Sequence, residues 1–231
     1  MQERIAAIRE AMRAAALAAG RRPEDILLCA ASKTQDAATV RACAALDVDL
    51  FGENHVQELA AKTDAGAYLD KPCHLIGHLQ TNKVRQTVGR AAVIQSVDSL
   101  RLMDAIEKEA ARQDLVQDIF LELNIGGEAQ KTGADPALFQ EMLDRAELHA
   151  HLRITGLMTV PPAGLSEADT RGIFARLRRL FEDTAALRSS EHIRLQWLSM
   201  GMSSDYPLAI LEGANIVRVG TAIFGPRDYS H

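Results

Sequence analysis

Short apolar runs and longer stretches of helical period take turns along this chain. The runs at 26–32, 50–53, 74–78, 93–97, 119–125, 154–159, 195–200 and 216–220 are rich in β-branched and other apolar residues, as buried strands are. Between them, 36–46, 56–63, 80–89, 99–112, 136–147, 166–187 and 206–212 mix Ala, Leu and charged residues at helical spacing. The pattern predicts eight strands with a helix in every gap. Ahead of them, Ile5, Ile8, Met12 and Ala16 share one helical face, and Gly20 followed by Pro23 makes a helix stop. This Ala- and Arg-rich opening has the composition of a presequence, but Glu3 and Glu10 are acidic. A folded helix packed on the domain is the expectation.

Strands alternating with helices imply right-handed βαβ units and a parallel sheet. Eight such units fit a single (β/α)8 barrel of the TIM type, at the small end of its size range, with an extra N-terminal helix. A doubly wound open sheet usually has fewer strands and often a Gly-rich nucleotide turn, and no GxGxxG occurs here. The stretch 126–133, GGEAQKTG, has the letters of a phosphate loop in the wrong order, because Lys131-Thr132 precede Gly133. With no repeat, linker or low-complexity segment, residues 1–231 are expected to form one domain.

Composition narrows the function. Hydrophobic residues make up 47% of the chain, ample for a core. The net charge of -5 gives no pull toward nucleic acid or anionic membrane, and no apolar run approaches the roughly 20 residues that span a bilayer. Cys29, Cys43 and Cys73 are odd in number and form no CxxC pair. They read as reduced core thiols of a cytoplasmic protein, without a structural zinc. His74 and His78 would lie roughly 13 Å apart on a strand, too far to share a metal ion.

In a parallel barrel, chemistry gathers at the C-terminal ends of the strands. Here those ends carry Ser32-Lys33-Thr34, Gly52-Glu53-Asn54, Gly77-His78, Ser199-Met200-Gly201 and Gly220-Thr221. Gly220 ends the last strand and Thr221 opens a short helical turn, which makes a phosphate cup of outward N–H groups and a hydroxyl. The stretch SMGMSSD after strand seven is rich in hydroxyl and glycine residues, and phosphate sites in barrels form at these two loops. Arg218 shares an inward face with Gly220, so it needs either a carboxylate such as Glu53 or a ligand acceptor. An amine at the mouth of an apolar barrel, near a second cation, has a lowered pKa and is fit to form a Schiff base, which suits Lys33. One ligand satisfies all three features. It is pyridoxal phosphate, with its aldehyde on Lys33, its ring nitrogen on Arg218 and its phosphate on Ser199, Gly220 and Thr221.

The motifs SKT, FGENHVQE (51–58), HLIGHLQTNK (74–83), LNIGGEAQKTG (121–133), GLMT (156–159), LSMGMSSDYPLAI (198–210) and VRVGTAIFG (217–225) resemble those of the pyridoxal phosphate homeostasis proteins. These are small proteins similar to the N-terminal barrel of alanine racemase. The resemblance covers nearly the whole chain, departing at His55, Gln35-Asp36 and Gly126. It implies pyridoxal phosphate held covalently on Lys33, phosphate contacts from the Ser199 loop with Gly201 and from Gly220-Thr221, and Arg218 near the pyridine nitrogen. Asn54, Ile76, His78 and Met200 would lie around the ring. It further implies a role in binding, buffering and passing on the cofactor, with effects on amino-acid and keto-acid balance and no efficient catalytic turnover. Partners would be the cofactor itself and apo-enzymes that accept it; the protein would be a cytoplasmic monomer without nucleic-acid or membrane contacts. The alternative is an amino-acid racemase of the same barrel type. Alanine racemases add a β-rich domain with a tyrosine acid/base after the barrel, whereas this sequence ends at His231 and its tyrosines are Tyr68, Tyr206 and Tyr229.

Overall fold

The computed structural model describes residues 1–126 and 133–225. The predicted Lys131-Thr132 segment and Tyr229 lie outside the described residues. Eight parallel strands close into a barrel in the order of the sequence. They are β1 (Leu27–Ala31), β2 (Leu50–Glu53), β3 (Cys73–Leu75), β4 (Val93–Val97), β5 (Gln117–Glu122), β6 (Leu152–Met158), β7 (Ile193–Ser199) and β8 (Ile216–Val219). Closure is direct: Cys29 of β1 registers with Leu50 of β2 on one side and with Arg218 of β8 on the other.

The helices follow the same alternation. They are α1 (Gln2–Ala18), α2 (Ala37–Ala44), α3 (Val56–Asp64), α4 (Val84–Thr87), α5 (Leu100–Arg112), α6 (Pro136–Ala146), α7 (Glu167–Leu187), α8 (Tyr206–Leu211) and α9 (Thr221–Phe224). Helix α1 is the expected extra element. It buries Ile5, Ile8, Met12, Ala15 and Ala16 and packs against α8. Its end is closed by Arg21 N–H on Ala16 O at 2.9 Å and Gly20 N–H on Leu17 O at 3.0 Å, the paired bonds of a Schellman cap. Three later helices start on side-chain caps, from Asp36, Asp135 and Ser166, each satisfying N–H groups that the first turn leaves open.

Several predicted elements are shorter than the pattern suggests, and two of these bear on the rim. β3 ends at Leu75 rather than at 78, and the helix predicted over 80–89 is a 3-10 turn, Thr81–Lys83, leading into the four-residue α4. The chain leaves β3 early because Gly77 crosses the backbone of Asn54. A Cβ on Gly77 would sit 2.4 Å from the Asn54 carbonyl oxygen. Gly77→Ala must therefore displace main chain, and a loss of about 1–3 kcal/mol is expected in a denaturant titration. A loss under about 0.5 kcal/mol would show that the crossing has slack.

The core has two layers. Most buried apolar residues fill the space between the sheet and the helices. A smaller cluster of Cys29, Leu50, Val93, Phe120, Met158 and Ile216 fills the inside of the barrel, so the barrel is packed and not a channel. Polar side chains lie above this plug, toward the C-terminal ends of the strands.

Candidate functional site

Lys33 stands two residues past the end of β1, after Ser32, and is half-buried. The turn it enters is unusual, because Thr34 has φ +69 without being glycine, a conformation that costs about 1 kcal/mol or more. Glu58 holds it there by accepting from the Thr34 N–H at 2.8 Å. Beneath the turn lies a buried ionic cluster. Lys62 donates to Glu53 Oε1 and to the Ser32 carbonyl, both at 2.8 Å, and to Glu58 Oε2 at 3.2 Å. The Ser32 hydroxyl donates to Glu53 at 2.5 Å and the Tyr68 hydroxyl at 3.3 Å. Lys62 is only 4% exposed and Glu53 is fully buried. Burial pushes the Glu53 carboxyl above its ordinary range against the pull of Lys62 and Ser32. On Glu58, burial pushes up, but the Thr34 N–H and the Lys62 ammonium outweigh it and hold the carboxyl low.

This cluster corrects one sequence expectation: Glu53 is not a partner for Arg218 but the counter-ion of Lys62. The signal was available. Glu58 and Lys62 stand four apart on α3, the spacing of a helical ion pair, but nothing local says that the pair is turned inward.

Arg218 is 4% exposed and lies on the inward face of β8. Its Nη1 donates to the Ser199 hydroxyl at 2.6 Å and its Nη2 to the Thr159 carbonyl at 2.9 Å. Among the described residues no carboxylate forms an ion pair with it. Desolvation lowers its pKa, with Cys29, Glu122 and Asp205 pulling weakly the other way. The neighbouring Cys29 thiol is pushed up to about 12 by burial, so it is an inert core group.

Lys33, Asn54, Ile76, Arg218, Gly220 and Thr221 line one cavity of about 390 Å³ at the C-terminal rim. Two other clefts, about 310 and 350 Å³, lie at the N-terminal ends of the strands, where barrels seldom place chemistry. The remaining four predicted residues stand elsewhere. Ser199 is fully buried below the cavity, with its hydroxyl spent between Arg218 and Gln95. Met200 points into the helix-facing core. Gly201 serves through its backbone: φ is +92, a Cβ would lie 2.5 Å from that of Ala209, and its carbonyl accepts from the Arg218 N–H. His78 stands exposed at the rim, 3.9 Å from Asp98, because β3 has already ended.

Sequence reasoning flagged the loop after β7 but not its working members. Ser203 and Ser204 reach the cavity. The Ser203 oxygen accepts from the Gly220 and Ala222 N–H groups at 3.3 and 3.4 Å, occupying the position where an anion oxygen would take the same donors. Val160 and Met202 add an apolar wall. The cavity thus joins an amine, a buried cation and an anion cup within one apolar mouth. Among the described residues, no group of His, Cys, Asp and Glu is disposed to hold a metal ion, and no helix is long and apolar enough to cross a membrane.

Comparison with known proteins agrees with this architecture. The family described as alanine racemase, N-terminal domain, matches residues 5–228. A pyridoxal phosphate homeostasis protein of Aquifex aeolicus is 39% identical over 227 residues, covering 98% of each chain. One of Pseudomonas aeruginosa is 38% identical, covering 98% of this chain and 96% of its own. The structure of PipY from Synechococcus elongatus with pyridoxal phosphate bound superposes with a TM-score of 0.84 at 36% identity, covering 97% of this chain and 99% of that one. Alanine racemase of Clostridium difficile shares the fold at 16% identity and a TM-score of 0.68, and 57% of that chain is covered. The chain belongs to the pyridoxal phosphate homeostasis proteins, within the alanine racemase N-terminal domain family.

Proposed function

We propose that the rim cavity holds pyridoxal 5'-phosphate and that the protein acts in its homeostasis by binding, buffering and handing on the cofactor. The observation that carries this reading is the convergence of Lys33, Arg218 and the Gly220 loop on one cavity of about 390 Å³, a size suited to a small ligand. In this reading the Lys33 amine condenses with the aldehyde, releasing water, and keeps the ligand as a Schiff base. Arg218 donates to the ring nitrogen. The Gly220 and Ala222 N–H groups and the hydroxyls of Ser203, Ser204 and Thr221 hold the phosphate. Asn54 and Ile76 flank the ring. Ser199 and Gly201 act through Arg218, Met200 anchors the loop after β7 in the helix-facing core, and His78 guards the open edge. The names of the curated relatives and the cofactor bound to PipY support the same ligand.

The bound cofactor supplies an electrophilic carbon and an electron-withdrawing ring. An arginine at the ring nitrogen keeps that nitrogen unprotonated and weakens the electron sink, so we expect no efficient racemisation. Turnover of an amino acid above about 1 per second would contradict this. We further propose that the protein works as a cytoplasmic monomer and that apo-enzymes dependent on pyridoxal phosphate are its acceptors.

The test is the absorption spectrum of the purified protein with pyridoxal phosphate, before and after borohydride, followed by peptide mass mapping. A visible band that reduction converts into an adduct on the Lys33 peptide is expected. An adduct on another lysine, or no band, would remove Lys33 from the role.

A further inference from the structure

Four polar side chains cross the packed interior of the barrel beneath the cavity. Arg218 Nη1 donates to Ser199 Oγ at 2.6 Å, Ser199 Oγ donates to Gln95 Oε1 at 2.6 Å, and Gln95 Nε2 meets His74 Nδ1 at 2.7 Å. They come from β8, β7, β4 and β3. Ser199 and Gln95 are fully buried, and His74 is 7% exposed with its ring edge-on to Phe120.

With the Gln95 amide oxygen turned to Ser199, as placed, one proton arrangement runs through this chain. A guanidinium has donors and no acceptor, so the Ser199 oxygen must accept from Arg218 and send its own proton onward. Gln95 presents its oxygen to Ser199, which turns its NH2 toward His74. His74 must accept at Nδ1 and is therefore the neutral ring with its proton on Nε2. Burial agrees, holding the His74 pKa down to about 3. The direction is imposed at one end by a fixed cation and terminated at the other by a neutral acceptor, and no member carries a countercharge. Arg218 is thereby gripped on two of its five N–H groups, through Ser199 and the Thr159 carbonyl, and among the described residues no carboxylate is ion-paired with it.

We propose that Gln95 and His74 are positioning residues for Arg218: through Ser199 they fix the guanidinium's orientation and keep the cation available to a ligand acceptor above it. This rests on the reading of the cavity as a pyridoxal phosphate site. A carboxylate in place of the Gln95–His74 pair would hold the arginine equally well but neutralise it. The neutral chain therefore selects for a ligand that brings an unprotonated nitrogen or another acceptor to that point.

The experiment compares His74→Asn with His74→Leu in the full chain, reading the absorption maximum and the apparent Kd for pyridoxal phosphate. An asparagine amide oxygen branches from the same carbon level as Nδ1 and can accept from Gln95. The expected result is a wild-type spectrum and Kd for His74→Asn, and a shifted maximum with about tenfold weaker binding for His74→Leu. Wild-type values for both variants would overturn the proposal, and so would equal losses in both, since the ring's bulk would then matter and not its acceptor. Should His74→Leu not fold, Ser199→Ala breaks the chain one link nearer the arginine with little change of volume. It is expected to give the same shift, and an unchanged spectrum and Kd would overturn the proposal. A wild-type protein that forms no band on Lys33 would overturn both this inference and the assignment of the site; a wild-type band with indifferent variants would overturn this inference alone.

Discussion

Lys62→Ala is expected to destabilise the barrel by about 3–5 kcal/mol, because it leaves Glu53 ionised and buried without its counter-ion. The Glu53 side chain is fully enclosed, and its second oxygen, Oε2, has no hydrogen-bond partner. Lys62 is the group that makes burial of that carboxylate tolerable. The Lys62 amine also ties the Ser32 carbonyl to α3, so its loss should loosen the Lys33 turn as well. For a domain of this size the fall in Tm should be on the order of 10 °C.

The pH dependence gives this prediction its sign. Burial raises the Glu53 pKa in the folded state. A carboxyl with a raised folded value contributes stability that is present at acid pH and is lost as the pH rises through that value. Without Lys62 the folded value climbs further, so the variant should be weakest at about pH 8 and recover toward about pH 5. Adding Glu53→Gln to Lys62→Ala should restore part of the loss at about pH 8, since an amide needs no counter-ion there. Urea titrations at both pH values decide the matter. A loss under about 1 kcal/mol at neutral pH, or one independent of pH, would mean that water reaches Glu53.

Lys33→Ala is the second large effect. On the proposed reading it abolishes the visible band and the borohydride adduct while leaving the barrel folded. Lys33 is half-buried beyond the end of β1, and truncation at such a position usually changes stability by about 0.5 kcal/mol. Contacts from Arg218 and the Ser203–Gly220 cup remain, so pyridoxal phosphate should still bind, with an affinity lower by on the order of 100-fold, or about 2.7 kcal/mol. Equilibrium dialysis separates this from a cup that never bound the ligand. Undiminished affinity would show that the amine does not hold it.

Taken together, the two lysines divide the labour at the end of β1. Lys62 is spent inside the protein, neutralising Glu53 and bracing the turn. Lys33 is delivered by that turn to the cavity. The left-handed Thr34 between Lys33 and the next helix is tolerated because Glu58, itself tied to Lys62, holds its N–H.

Much of this molecule is determined locally. Short β-branched runs and helical periods are properties of a few neighbouring residues, so the eight βα units and α1 were readable without long-range information. Parallel closure then sends every strand's C-terminal end to one rim. For that reason Lys33, Asn54, Arg218, Gly220 and Thr221 could be picked from strand ends, and together with Ile76, which the family resemblance added, they line one cavity. What lies one layer deeper depended on tertiary structure. Ser199 and Met200 are adjacent in sequence, yet one turns into the barrel and the other into the helix layer. His78 looked like a strand end only because the early exit of the chain at Gly77 is set by contact with Asn54. Lys62 reads as an ordinary helix-surface lysine until α3 packs over β2 and β3. Gln95 and His74 read as strand interior until closure brings residues 104 positions apart, Ser199 and Gln95, within 2.6 Å. Periodicity reports which face of an element is buried. It does not report what stands opposite, because that partner is chosen by strand register and barrel closure over the whole chain.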